Sequence, residues 1–322
     1  MTLQNQLWQF FDAHPDRYFS GEKLAQDFGY SRTAIWKAIQ QLKKAGVTIE
    51  SHPQQGYRYQ RNDVLSQALI QAALPASLQS LPLTVLASAP STNQLAKTAA
   101  VQQATTPQVF LADEQTAGYG RYGRGFQSPA HSGIYLSLLL APMQDLSQVG
   151  LLTTATATAV MRAIRKTTGI QVAIKWVNDL YLNHKKVCGI LSEAVSDMET
   201  QQITSLVVGI GIDFYLPNTS LPLELQAKVG SLFQTTPTIT RNQLIAAILT
   251  EFFALYPTYP NGAFLNEYRA HSFLIGRRVT LQIGDRAIEG DVTDIDDHGQ
   301  LCLATPTGPL TLNAGEVTKV HF

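Results

Sequence analysis

The sequence predicts an α+β chain of three units: an N-terminal winged helix-turn-helix over residues 1–62, a central mixed-sheet domain over 63–272 and a C-terminal β-barrel of SH3-like size over 273–322. Three observations predict it. Three helical periods and then a hairpin pattern open the chain, helices and strands alternate through its middle, and short strands separated by turn residues close it. At 322 residues the chain is too long for one ordinary core, and 45% apolar with 15% charged residues suits a globular protein with ample material to bury.

In the first unit, Leu3, Leu7, Phe10 and Phe11 recur at helical spacing, and a second helix is expected over 20–28. Gly29-Tyr30-Ser31 makes a turn, Ser31 is the expected N-cap of a third helix from Arg32 to about Ala45, and Gly46 closes it. Residues 47–49 and 56–59 read as the arms of a hairpin. In the middle unit Ser66 is placed to cap a helix through Leu74, and Ser147 to cap an Ala- and Thr-rich helix ending near Gly169. Thr240 with Gln243 forms a capping box for a helix that Pro257 stops. Strands are expected at 109–112, 134–140, 172–176, 180–182, 187–194 and 203–214. Connections as short as Asn183-His184-Lys185 join only antiparallel neighbours, so the sheet is mixed or largely antiparallel. In the last unit, strands at 279–283, 287–293, 301–304 and 310–313 are separated by turns at 284–285, 296–299 and 306–309.

The formal net charge is zero, so no global field draws the chain to nucleic acid and a DNA-binding unit has to be locally basic. Cys188 and Cys302 lie far apart in no metal-ligand spacing, which argues against a disulfide framework and for a reducing compartment. The N-terminus lacks the features of a secretory signal, and the longest apolar stretches, such as 134–141, fall short of the roughly 20 residues a membrane helix needs. A cytoplasmic protein with no membrane partner is expected.

The first unit is locally basic. Through Arg61 it holds eight Lys or Arg against five Asp or Glu, and from Ser31 onward the only acid is Glu50. A helix-turn-helix sets its second helix in the major groove with N-terminal side chains at base edges. DNA contact is therefore assigned to Ser31, Arg32, Thr33, Trp36, Lys37 and Lys43 on the third helix and to Arg58 in the hairpin, while Ala34, Ile35, Ala38, Ile39 and Leu42 face inward. A three-helix protein-interaction module with solvated lysines shares part of this pattern; the added hairpin favours DNA.

The chemistry is concentrated in the middle unit. Within residues 113–126, DEQTAGYGRYGRGF, four glycines leave backbone amides open to phosphate oxygens, and Arg121 and Arg124 add cationic forks. Residues 118–123 match G-x-G-x-x-G, but a dinucleotide fold starts a helix at the glycines, whereas Pro129 and a strand-like run follow here. An anion-binding loop that orders over a ligand is the better reading. Lys175-Trp176-Val177-Asn178-Asp179, followed by Lys185-Lys186-Val187-Cys188-Gly189-Ile190, brings basic groups and a carboxylate to strand ends. Asn178-Asp179 alone is a natural turn and each lysine alone a solvated strand end; together they suggest a phosphate and metal site. Ser91-Thr92-Asn93 suits a helix N-cap as well as a ligand contact.

Taken in series, Ser91-Thr92-Asn93, the glycine-rich loop with Arg121 and Arg124, Lys175-Trp176-x-Asn178-Asp179 and Lys186-x-x-Gly189-Ile190-Leu191 resemble, in order and spacing, the biotin protein ligases. With a winged helix in front and a small barrel behind, the whole chain is similar to the bifunctional ligase and biotin-operon repressor family. The resemblance implies a central domain related to class II synthetase and lipoate ligase folds, with biotin and ATP as substrates and Mg²⁺ as cofactor. It implies a carrier-protein lysine and operator DNA as partners, and a homodimer when biotinyl-5′-AMP is bound. It assigns Ser91, Thr92, Asn93, Gln115 and backbone at Gly118 and Tyr119 to biotin, with Tyr135, Ser137, Gly189 and Ile190 lining the same pocket. Arg121 would hold the activated intermediate, Arg124 the phosphates, Phe126 the adenine, and Lys175, Asn178 and Asp179 the nucleotide, Asp179 with its Mg²⁺. Lys186 would meet the biotin carboxylate and the α-phosphate, so Lys186, Arg121 and Asp179 are the expected catalytic residues. Tyr119 and Tyr122 stand where arginine is frequent in the family, Val177 where proline is, Phe126 where tryptophan is and Asp213 where asparagine is.

This chemistry has a physical logic. A carboxylate is a poor acyl donor until it is joined to AMP, and that step brings two anions together, so cations must neutralise charge at phosphorus. Two alternatives share parts of the pattern: a lipoate-type acyl ligase, and a winged-helix repressor that senses a metabolite without catalysis.

Overall fold

The computed structural model describes residues 2–60, 62–141, 148–197, 202–216, 223–284 and 286–321. The first unit is built from α1 (Leu3–Ala13), β1 (Tyr18–Phe19), α2 (Gly21–Phe28), α3 (Arg32–Lys44), β2 (Ile49–His52) and β3 (Gly56–Tyr59). Ser20 and Ser31 cap α2 and α3 by accepting from Lys23 N (3.0 Å) and Ala34 N (3.2 Å). Gly46 takes φ of 91°, and the amides of Gly46 and Val47 close back on the carbonyls of Lys43 and Leu42, a Schellman stop. Leu7, Phe11, Leu24, Ile35, Ile39 and Leu42 are fully buried as one core, and β3 pairs with both β2 and the short β1.

The middle unit runs α4 (Gln67–Ala73), β4 (Leu83–Ala89), α5 (Thr92–Val101), β5 (Gln108–Gln115), β6 (Gly133–Leu140), α6 (Val149–Thr168), β7 (Ala173–Lys175), β8 (Asp179–Leu182), β9 (Lys185–Ser196), β10 (Ile203–Asp213), α7 (Leu223–Gln226), α8 (Arg241–Leu255) and α9 (Leu265–His271). Its seven strands lie in the order β4-β5-β6-β10-β9-β8-β7. All neighbours are antiparallel except β4 and β5, which α5 joins as a crossover. Every residue of β6 is buried, which explains its unbroken apolar run: Leu138 and Leu140 face the core shared with α6 and α8, and Leu139 faces the core under α5. Strand β4 is not among the expected strands; it lies at the sheet edge, with polar and small residues at Thr84, Ala87 and Ser88 that weaken the apolar signal.

Helix α6 is buried on all sides from Leu151 to Met161, and its threonines satisfy their hydroxyls locally or on the sheet: Thr156 on Leu152 O (2.7 Å), Thr158 on Thr154 O (3.0 Å), Thr153 on Ser192 Oγ (2.7 Å). The expected cap at Ser147 lies outside the described residues. The Thr240–Gln243 capping box is present on α8, whereas Ser66 makes no side-chain cap and instead donates its backbone amide to Asn242 Oδ1 (3.0 Å). Asn242 of α8 thus anchors the residue that precedes α4.

The last unit is a five-stranded antiparallel sheet, β14-β13-β12-β11-β15, of β11 (Arg278–Ile283), β12 (Arg286–Ile295), β13 (Leu301–Thr305), β14 (Gly308–Leu312) and β15 (Glu316–His321). The turn residue Asp285 lies outside the described residues. Val279, Leu281, Val292, Leu301 and Val317 belong to the same continuous core as the middle unit. The buried Trp176 Nε1 donates to Gly299 O (2.9 Å) in the β12–β13 turn, which ties that turn to the stretch carrying Asn178 and Asp179. Replacing Trp176 by Phe leaves that buried carbonyl unpaired and is expected to cost about 1–3 kcal/mol; a urea midpoint lowered at constant slope is the check.

Candidate active site

A cavity of about 260 Å³ opens where the N-terminus of α5, the glycine-rich loop and the ends of β9 and β10 meet. Its floor is clear because three strand positions lack side chains. A Cβ on Gly209 would meet Asn93 Oδ1 at 2.2 Å, one on Gly211 the Phe126 ring at 2.7 Å, and one on Gly189 Lys186 Nζ at 3.1 Å. Gly211 and Gly189 are cross-strand partners, so the gap spans two strands. Only glycine at these places lets Asn93, Phe126 and Lys186 lie down on the sheet.

One end of the cavity is polar and uncharged. Gln115 Oε1 accepts from Thr92 N (2.9 Å) and Thr92 Oγ1 (3.1 Å), while its Nε2 donates to Ser128 Oγ (2.9 Å). Ser137 Oγ lies 2.7 Å from Thr92 Oγ1 and 2.6 Å from Asn93 Oδ1. Asn93 Nδ2 in turn donates to Glu193 Oε2 (2.7 Å), which also takes the hydroxyl of Tyr119 (3.0 Å), and Lys97 Nζ lies 2.6 Å from Glu193 Oε1. Glu193 thus links the start of α5 to the glycine-rich loop. Burial, with the Glu193 carboxylate beside it, raises the Tyr119 phenol above its ordinary range.

The other end is cationic. Lys186 Nζ sits 2.7 Å from Asp179 Oδ1, a charge contact in which that buried oxygen receives no aligned hydrogen bond. Arg121 donates to Asn178 Oδ1 (3.2 Å), and Asn178 Nδ2 donates to Ile190 O (2.9 Å), so Asn178 holds both β9 and the loop arginine. Arg121 and Arg124 both flank the exposed Tyr122 ring, and Arg124 pairs with Glu316 from the last unit. Arg124 depresses the Glu316 carboxyl below its usual range. Burial lowers the Lys175 ammonium from its ordinary value.

Most of the sequence-predicted site residues line this one cavity: Ser91, Thr92, Asn93, Gln115, Tyr119, Arg121, Arg124, Phe126, Tyr135, Asn178, Asp179, Lys186, Gly189 and Ile190. Three are not in its lining. Gly118 packs against Phe126 O and Ser128 Oγ, where a Cβ would come within 2.7 Å of both; Ser137 is fully buried behind Thr92; Lys175 lies over the Tyr181 ring. Their parts are to shape the loop, orient Thr92 and set the local field. The lining also includes residues that sequence reasoning did not assign to it: Tyr122, Leu225, Val229, Glu316 and Asp213. Glu316 comes from the last unit, 192 residues after its partner Arg124, and no local pattern signals it. Asp213 is 5% exposed, and burial pushes its carboxyl up to about 8 against the pull of Lys186.

Among the described residues no group of three His, Cys, Asp or Glu could hold a metal ion. Asp179, in contact with Lys186 at the cationic end, is a donor that suits an Mg²⁺ carried by a nucleotide, which takes one or two carboxylates alongside phosphate oxygens, and not an all-protein cage.

In the first unit Ser31, Arg32, Thr33, Trp36 and Lys37 are exposed on α3, Trp36 at 52%. Lys43 Nζ donates to Ser51 Oγ (2.9 Å). Arg58 is paired within the hairpin: both Nε (3.1 Å) and Nη2 (2.6 Å) donate to Glu50 Oε2. The cross-strand register that sets Glu50 opposite Arg58 brings this about.

Comparison with known proteins agrees with this layout. The biotin/lipoate A/B protein ligase family model matches residues 85–213, a helix-turn-helix domain model residues 3–58, and the biotin protein ligase C-terminal domain model residues 274–320. The bifunctional ligase/repressor BirA of Bacillus spizizenii is 33% identical over 95% of this chain and 95% of its own length. The chain belongs to the BirA family of bifunctional ligase/repressors. BirA of Escherichia coli is 29% identical over 89% of this chain and 88% of its own length. The biotin protein ligase of Aquifex aeolicus, solved in complex with biotin and ATP, superposes with a TM-score of 0.60 at 26% identity, covering 74% of this chain and 97% of that one.

The buried Asp213 makes a specific pH dependence for this BirA-family chain. Its native pKa lies above that of the unfolded chain, so the native state loses relative stability as pH rises from about 4 towards about 8 and the loss is complete above that. Asp213→Asn is therefore expected to stabilise the protein little near pH 4 and increasingly towards pH 8, by on the order of a few kcal/mol. Parallel melting curves across that range with a constant difference would contradict it.

Proposed function

We propose that this chain is an ATP-dependent biotin ligase that forms biotinyl-5′-AMP and passes biotin to a lysine of a carrier protein, and that its winged helix makes it a repressor with the adenylate as corepressor. The observation that carries the reading is the polarity of one cavity: an uncharged hydrogen-bonding end at Ser91, Thr92 and Gln115, a cationic end at Arg121 and Lys186, and a glycine floor between them. A ureido ring needs the first end, and a carboxylate meeting a phosphate needs the second. A lipoate-type ligase would have an apolar tunnel where Thr92 and Gln115 stand.

Gln115 is held by three hydrogen bonds, so its amide is oriented before a ligand arrives. In the first half-reaction a carboxylate oxygen of biotin attacks the α-phosphorus, the bond to the β-phosphate oxygen breaks and pyrophosphate leaves. Lys186 and Arg121 lower the repulsion between the two anions, and the glycine-rich loop excludes water from the product. Mg²⁺ arriving with ATP would neutralise further phosphate charge beside Asp179. In the second half-reaction a neutral lysine amine attacks the acyl carbon and AMP departs. Phe126, lying on Gly211, offers a flat face for adenine.

Two copies of a single-headed reader fit a two-fold operator, so ordering of residues 118–126 around the adenylate is proposed to favour a homodimer. Sedimentation with and without biotinyl-5′-AMP tests this; an unchanged monomer contradicts it.

Biotin, MgATP and an acceptor carrier domain mixed with the protein are expected to give a mass increase on one acceptor lysine, with lipoate inactive in the same assay. Labelling by lipoate and not biotin would reverse the assignment. Lys186→Ala is expected to slow single-turnover adenylate formation by on the order of 10²–10³, and an undiminished rate would remove Lys186 from the chemistry. Arg32→Ala should weaken binding to the operator by about 1–3 kcal/mol and relax its sequence specificity, as read by DNA titration with matched and mismatched sites.

A further inference from the structure

Arg241, the first residue of α8, is completely buried, and the reaction as described does not use it. It joins three parts of the chain. Its backbone N and Nε donate to the two oxygens of Asp63 (2.7 Å each) and Nη2 donates to Asp63 O (2.8 Å). Nη1 donates to Asp113 Oδ1 (2.6 Å) and to Gly133 O (3.0 Å). Asp63 lies in the segment that leaves the winged helix. Asp113 and Gly133 stand two residues before Gln115 and Tyr135, both in the cavity lining, and Gly133 is the cross-strand partner of Asp213.

The segment around Asp63 is held on both sides. Asn62 Nδ2 donates to Gly46 O (2.7 Å) at the end of α3, and Val64 packs against Gly46. Asn242 Nδ2 donates to Val64 O (2.7 Å), and Gln243 Nε2 donates to Asp12 Oδ2 (2.6 Å) in α1. Helix α4, next in the chain, divides its side chains between cores: Leu69 and Ala72 join the winged-helix core, Ile70 and Leu74 the central one. The connection between the units is a packed strap and not a free tether.

We infer that Arg241 is a positioning residue that couples the winged helix to the ligand cavity. A buried guanidinium that must satisfy Asp63 and the ends of β5 and β6 together cannot follow one without straining its bonds to the other. Ordering of Gln115 and Tyr135 by a ligand therefore tightens the strap at residues 62–70, and loosening the strap weakens the ligand by the same factor. The inference rests on the reading that this cavity takes biotin.

Hydrogen exchange on the full-length protein tests it without relying on turnover. Biotin is expected to slow exchange of the strap amides by about fivefold or more as well as those of the cavity. Asp63→Asn, at a site with a partly exposed side chain, should abolish the strap response and weaken biotin about as much, with the KM for ATP unchanged. Protection of the cavity with no change in the strap overturns the coupling and leaves the biotin reading standing. Equal losses for biotin and ATP in Asp63→Asn reduce Arg241 to a general structural role and also overturn it. Absence of any biotin binding overturns both.

Discussion

The rest of the structure depends on two central strands, β6 and β10, being paired over eight residues and enclosed from both sides. A strand enclosed in this way has no solvent face, so its side chains must alternate between two cores or be absent. Leu138 and Leu140 serve one core, Leu139 and Val207 the other. At the N-terminus of α5 the second core gives out, and the sequence turns to glycine at 209 and 211. The cavity is the continuation of a buried sheet face past the helix that covers it. Its floor is rigid because the strands beneath it are held on their other side by α6 and α8.

On that floor, charge is separated by distance along the strands. The uncharged hydrogen-bond donors and acceptors come from the start of α5 and the end of β5, whereas the cations come from β9 and the glycine-rich loop. Each end is prearranged by hydrogen bonds: Ser128 orients Gln115, and Ile190 O orients Asn178, which in turn holds Arg121. The glycine-rich loop is bonded at both ends of its span, by Tyr119 to Glu193 and by Arg124 to Glu316. These anchors belong to two different units, so the loop's position reports on the packing of the last unit against the central one.

The three units are not independent beads. The last unit shares the central core, and the Trp176–Gly299 bond sets its turn against the strand end that carries Asn178 and Asp179. The first unit has its own core, but the strap at residues 62–66 and the divided helix α4 tie it to the first turn of α8. Buried polar bonds of this kind are sensitive to small displacements, because a lost partner inside the protein is not replaced by water.

Local physics made much of this legible in the sequence. The serine cap at 31, the left-handed Gly46, the Thr240–Gln243 box and the apolar strand runs beginning at 134 and 203 are decided by neighbours within a few residues, and each appears in the structure. The glycine-rich loop, Lys186 and Asn178-Asp179 were readable because their chemistry requires those residue types at short spacing. Tertiary structure alone decided the pairings of charges and the parallel edge strand. Glu50 matching Arg58, Glu193 joining α5 to the loop, Glu316 meeting Arg124, the buried Asp213 and the Arg241 junction all join residues whose meeting depends on strand register or on docking between units. Helix caps and strand periods are properties of a short stretch of chain; the partner of a buried charge is a property of the whole fold.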